Sequence, residues 1–175
     1  MSGVPVSLGR TVRRAPSGPP VRWAAFAQQA PELAERVEAR FAAFKHHVLA
    51  TLMASGAPRV SGTEVGWWDG ELWVGSMWGA RKAEDLAADS RFALHSNPGD
   101  GSLLGGDAKL SGRVVEITDG PVREAFLAAN EVPEPLHLFF LRLQAVTLTE
   151  LTSDNDALAI TTWRSGDGVR TIRRA

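Results

Sequence analysis

The chain has 175 residues, 44% of them hydrophobic, with 19 basic side chains against 20 acidic ones. That length and apolar content suffice for one buried core, and a formal net charge of -1 gives none of the broad attraction that nucleic-acid binders depend on. The absence of cysteine excludes disulfides, thiolate metal sites and a cysteine nucleophile.

Residues 1–22 hold Pro5, Pro16, Pro19 and Pro20 with Arg10, Arg13, Arg14 and Arg22, and no acidic residue precedes Glu32. Without a continuous apolar stretch this is no secretory signal, so it reads as a flexible basic arm on a cytoplasmic protein, followed by one domain over 23–175. Pro31 suits the first position of a helix, and Leu33, Val37, Phe41 and Phe44 form its apolar stripe. His47 to Ala54 predicts a strand, on which His46 and His47 would face opposite ways and could not chelate one metal; no metal site is expected. Ser55-Gly56-Ala57-Pro58 turns the chain into a second strand from Arg59 to Trp68, and Asp69-Gly70 marks a tight hairpin into a third. Glu64, in the second strand, is expected to be neutralised by Arg113. Trp67, Trp68, Trp73 and Trp78 read as packing around that hairpin, with one or two able to stack on a flat cofactor.

The third strand, Glu71 to Gly75, runs directly into Ser76-Met77-Trp78-Gly79-Ala80-Arg81-Lys82, the most informative stretch of the chain. Ala80, Ala83, Leu86 and Ala87 recur at helical spacing, while Arg81, Lys82, Glu84 and Asp85 take the other side. A basic first turn runs against the usual preference for carboxylates where free N–H groups and the macrodipole are already positive. Two cations there suit a bound anion, and a hydroxyl, a glycine and an Arg-Lys pair make a cradle for a phosphate monoester. The same residues also read as a solvated helix face with Ser76 as a cap.

Arg91 to His95 predicts a fourth strand, and a Gly-rich loop covers 97–106. A helix is expected from Pro121 to Asn130, with Val122, Phe126 and Leu127 on one face. Leu136 to Leu151 is too short and too interrupted by Arg142 and Gln144 to cross a membrane, and reads as a long strand with Leu141 and Leu143 inward. Turns at 154–156 and 166–168 frame the last strands.

The order of elements and the runs ATLMASGAPRVSGTEVGWWDGELWVGSMWGARKAEDLAADSRFAL and GDAKLSGRVVEITD resemble the flavin-binding split-barrel family that includes pyridoxamine 5'-phosphate oxidases and actinobacterial flavin or deazaflavin oxidoreductases. The resemblance spans roughly residues 45 to 165. It implies a mainly β fold, a six-stranded antiparallel split β-barrel that forms a homodimer with a flavin in each interface groove. Ser76, Arg81 and Lys82 match the positions that hold the cofactor phosphate. Arg59, Val60 and Ser61 match the strand along the flavin ring, Gly75 and Met77 approach the ring or ribityl chain, and Asp107 and Lys109 match polar groups at the flavin edge. Trp163 matches a tryptophan that reaches the cofactor from the partner subunit. Vitamin B6 oxidases carry a Lys where this chain has Gly66, an Arg where it has Ser61, and a late Arg-x-His pair, whereas no His follows His137 here; true pyridoxamine-phosphate oxidase activity is therefore not implied. The resemblance points to an FMN-dependent oxidoreductase acting on a small molecule, with no nucleic acid or membrane partner. A deazaflavin-dependent reductase on the same fold, with the basic arm over an acidic cofactor tail, is the first alternative. A noncatalytic flavin- or haem-binding protein, with His137 or His95 as haem ligand, is the second.

Overall fold

The computed structural model describes residues 15–99 and 105–175, so the arm up to residue 14 and residues 100–104 of the 97–106 loop lie outside the described residues. Nine strands form a single sheet: β1 His47–Leu52, β2 Pro58–Thr63, β3 Gly66–Trp68, β4 Glu71–Met77, β5 Arg91–His95, β6 Asp107–Glu116, β7 Leu136–Leu151, β8 Leu158–Arg164 and β9 Gly168–Arg174. The strand order is β2-β1-β5-β6-β7-β4-β3, every pairing is antiparallel, and β8–β9 extends from β7. At 16 residues, β7 serves two neighbours on one edge: its first part pairs β4 and its last part pairs β8. β2 packs against β4 and rolls the sheet into a barrel.

The expected second strand is two strands here. The ladder breaks after Thr63, so β2 pairs β1 while β3 pairs β4. Counting β2 and β3 as one bent strand leaves six around the barrel, with the β8–β9 hairpin added to them. At the break Glu64 turns outward and meets Lys45 and His46, each at 3.4 Å, rather than Arg113, which donates to Ser90 Oγ at 3.1 Å.

Among the described residues four helices surround the sheet: α1 Trp23–Gln29, α2 Pro31–Ala42, α3 Arg81–Ala88 and α4 Gly120–Ala129. α1 was not legible in advance, since its seven residues WAAFAQQ are too few to show a period. Trp23 and Phe26 of α1 and Leu33, Val37 and Phe41 of α2 join Leu49, Leu72, Leu94, Leu110, Phe139 and Leu141 in the barrel core. Phe44 was expected on that stripe but is exposed, because α2 ends at Ala42 and the helical register is lost beyond it. Val122 is likewise exposed, leaving Phe126 as the fully buried anchor of α4 among Leu138 and Phe140. Residues 17–22, assigned to the arm from sequence, are fastened down: Gly18 N donates to Ser165 O at 2.8 Å, Ser17 Oγ to Asp167 Oδ1 at 2.5 Å, and Val21 exchanges backbone hydrogen bonds with Leu143. No helix of the described residues is long and apolar enough to cross a membrane.

The β6–β7 register shifts between Ser111 and Gly112, where a Cβ would sit deep inside van der Waals contact with the Arg142 carbonyl oxygen. Gly112→Ala is expected to destabilise the protein by about 2 kcal/mol through overpacking at this bulge. Urea unfolding would register this as a lower midpoint, and an unchanged midpoint would show the bulge to be pliable.

Candidate functional site

α3 starts at Arg81, beside the seam between β2 and β4, with no side-chain cap on Ala80, so its first turn joins N–H groups that no side chain caps to two cations. Lys82 Nζ donates to the Gly62 carbonyl at 2.7 Å across that seam, and Arg81 pairs with Glu84 at 2.9 Å. Burial holds the Lys82 ammonium below its ordinary pKa, with Glu64 partly opposing the shift. One turn further on, Asp85 is buried, although the helical pattern had placed it on the solvent side. Its Oδ2 accepts from Thr51 Oγ1 at 2.7 Å and from Arg59 Nε at 2.6 Å, so one carboxylate ties β1, β2 and α3 together. The Arg59 hydrogen bond is the main reason that its pKa lies below the ordinary value; Thr51 and the Arg81 charge add to the effect, against desolvation. Sequence patterning alone gave no sign of Asp85, because its partners are 26 and 34 residues away.

Strand register extends the site over the outer face of the sheet. Gly62, Val48, His95, Lys109, Thr147, Thr162 and Arg170 are successive cross-strand partners. Three strand spacings separate Gly62 from Lys109, roughly 15 Å at about 4.8 Å each. The adjoining row, Val60, Ala50, Ala93, Ser111 and Ala145, is a shelf of small side chains edged by Val60, which is 70% exposed. A cavity of about 270 Å³ lies on this shelf, lined by Val48, Ala50, Ala93, His95, Lys109 and Thr147 among others. At its far end Asp107 Oδ2 meets Lys109 Nζ at 3.0 Å and His95 Nε2 at 3.1 Å, while Asp107 Oδ1 is buried without a partner among the described residues. His95 thus joins the expected Asp107 and Lys109, and β5–β6 pairing is the signal that would have found it.

The structure therefore brings Arg59 and Lys82 to the seam with Arg81 beside them, sets Val60 on the shelf, and puts Asp107 with Lys109 at its far end, while Ser61 pairs Leu49 on the alternate face of β2 and Met77 is exposed at the end of β4 opposite Leu136. Ser76 departs from expectation: strand alternation turns it inward, opposite to the 79% exposed Met77, and its Oγ is buried without a hydrogen-bond partner among the described residues. Gly75, on the alternate face, lies against Leu136. Trp163 is a correction. It is fully buried in the core of its own chain, 5.0 Å from the Phe26 ring, with Nε1 donating to Gln29 at 3.3 Å, and so presents no surface to a cofactor. Beside Ser76, His137 stacks under the exposed Trp78 at 4.5 Å and its Nδ1 meets Glu116 Oε1 at 2.7 Å. His47 is buried, with its pKa lowered by desolvation and by His46; no group of His, Asp or Glu among the described residues could hold a metal.

An antiparallel barrel closed by a basic helix start, with a flat shelf outside it, is the architecture of a split-barrel protein. The chain belongs to the pyridoxamine 5'-phosphate oxidase family, whose model matches residues 33–151. Among solved structures it is similar to a pyridoxamine 5'-phosphate oxidase-related, FMN-binding protein from Nostoc punctiforme (TM-score 0.59, 12% identity, 83% of this chain and 96% of that one). It is also similar to PhzG from Burkholderia lata, solved with tetrahydrophenazine-1-carboxylic acid (TM-score 0.58, 16% identity, 86% and 92%). HutZ, the haem storage protein of Vibrio cholerae, shares the fold as well (TM-score 0.52, 17% identity, 73% and 98%). No curated protein matches the sequence.

Proposed function

We propose that the protein is a flavin-dependent oxidoreductase that holds FMN with its phosphate at the α3 start and its ring along the shelf. One observation carries the reading: the basic seam, the small-residue shelf and the Asp107–Lys109–His95 group form one continuous strip on the outer face of the sheet. The residues fit such a group. Arg81 and Lys82 bring charge and N–H donors to a phosphate, and Asp107 carries a buried oxygen with no donor among the described residues, which a hydrogen-bonding ring edge would supply. A second copy of the chain closing over Val48 and Val60 would exclude water from the ring and complete a homodimer. Bound flavin supplies hydride transfer, so the protein need only bind, orient and shield. Arg59, fixed by Asp85, steadies β2 beside the seam; Lys109, fixed by Asp107, sets polarity at the ring edge.

A deazaflavin cofactor would occupy the same strip. Arg170 and Arg174 share its face by register and suit an acidic tail, which is the observation favouring that variant. Arg81→Ala with Lys82→Ala is expected to weaken FMN binding by about 2 kcal/mol, roughly thirtyfold, because two charge-assisted contacts are lost. A fluorescence titration giving the same Kd for the double variant and the wild type would exclude this phosphate site.

A further inference from the structure

A second cavity, of about 340 Å³, lies away from the strip, between α4 and the β3–β4 hairpin. Trp68, Phe140, Pro121, Val122 and Ala125 form its walls, and Arg22, Asp69 and Glu71 supply its polar side. Its volume falls at the lower end of the range for small-molecule sites, and most of its lining residues are apolar. Helical periodicity puts Val122 on the buried face of α4 with Phe126, yet Val122 is 47% exposed because it faces this groove and no described residue covers it.

The polar side is rigidly built. Glu71 is buried and gripped by Arg22 Nε at 2.7 Å and by Arg142, whose guanidinium also lies over Phe140 at 5.9 Å. Arg22 Nη2 donates to the Asp69 carbonyl at 2.9 Å, which leaves Nη1 on a half-exposed guanidinium without a partner among the described residues. Asp69 forms the hairpin corner at φ 48°, and its carboxylate makes no ion pair with any described residue. A fixed cation and an unpaired anion thus share the rim of an apolar groove.

We propose that this groove binds a small zwitterion with an apolar body, an α-amino acid with an aromatic or branched side chain. Its carboxylate would meet Arg22, its ammonium Asp69, and its side chain would cover Val122, Trp68 and Phe140. The test is calorimetric titration of the full chain with L-phenylalanine, 3-phenylpropionate and phenethylamine, on the wild type and on Val122→Trp and Asp69→Asn. Saturable 1:1 binding of L-phenylalanine is expected, at least about tenfold tighter than either analogue, since each lacks one charge-assisted contact. Val122→Trp, a substitution at an exposed position, should abolish it by filling the groove while leaving the melting temperature near that of the wild type. Asp69→Asn should weaken L-phenylalanine and phenethylamine but not 3-phenylpropionate. Absence of saturable L-phenylalanine binding, equal affinity for all three compounds, or binding untouched by Val122→Trp would each overturn the proposal.

Discussion

Trp163→Ala is expected to destabilise the protein by about 4 kcal/mol, the range for truncating a large aromatic side chain in a core that cannot collapse. Trp163 has no exposed surface, sits against Phe26 of α1, and holds Gln29 by its indole N–H, so its loss opens a cavity between β8 and the N-terminal helix. Urea unfolding should show a much lower midpoint with little change in slope. If Trp163 instead served the cofactor, the variant would keep its stability and lose flavin affinity, which is the opposite result.

Asp85→Ala is expected to cost about 3 kcal/mol, because removing one partner leaves Arg59 and Thr51 with unmatched donors around a buried site. The effect should depend on pH in a definite sense. The folded-state pKa of Asp85 lies below its ordinary value of 3.8, so its stabilisation is fully present above that value and is lost as pH falls through the lower folded pKa. The stability gap between wild type and Asp85→Ala should therefore be constant near neutrality and close progressively below about pH 4. A gap that persists undiminished in acid would mean that Asp85 acts by packing alone. Because Asp85 positions Arg59 and the start of α3, FMN affinity should fall in the same variant at neutral pH.

The sequence is legible where the physics is local. Asp69-Gly70 made its hairpin, Arg91 to His95 and Leu136 to Leu151 are strands with the expected limits, and α3 begins within two residues of Gly79. What failed depended on distant partners or on a break in periodicity. Phe44 lost its burial because the helix stopped at Ala42, and Glu64 lost Arg113 because the ladder broke at Thr63. In the site, Arg81 and Lys82 were legible as a basic helix start that contradicts ordinary capping preference. Asp85 was not, since a carboxylate on a polar helix face looks solvated until Thr51 and Arg59 are folded against it. Ser76 and Trp163 show the limit of carrying roles over by position: alternation turns the first inward, and α1 buries the second.

The most direct test of the central claim is titration of the purified full-length chain with FMN, followed by quenching of flavin fluorescence and, in parallel, by sedimentation. Saturation at one flavin per chain, with two chains per particle and weaker binding in the Arg81→Ala/Lys82→Ala variant, is the predicted result. No quenching by FMN, or binding that the double variant leaves unchanged, would contradict it.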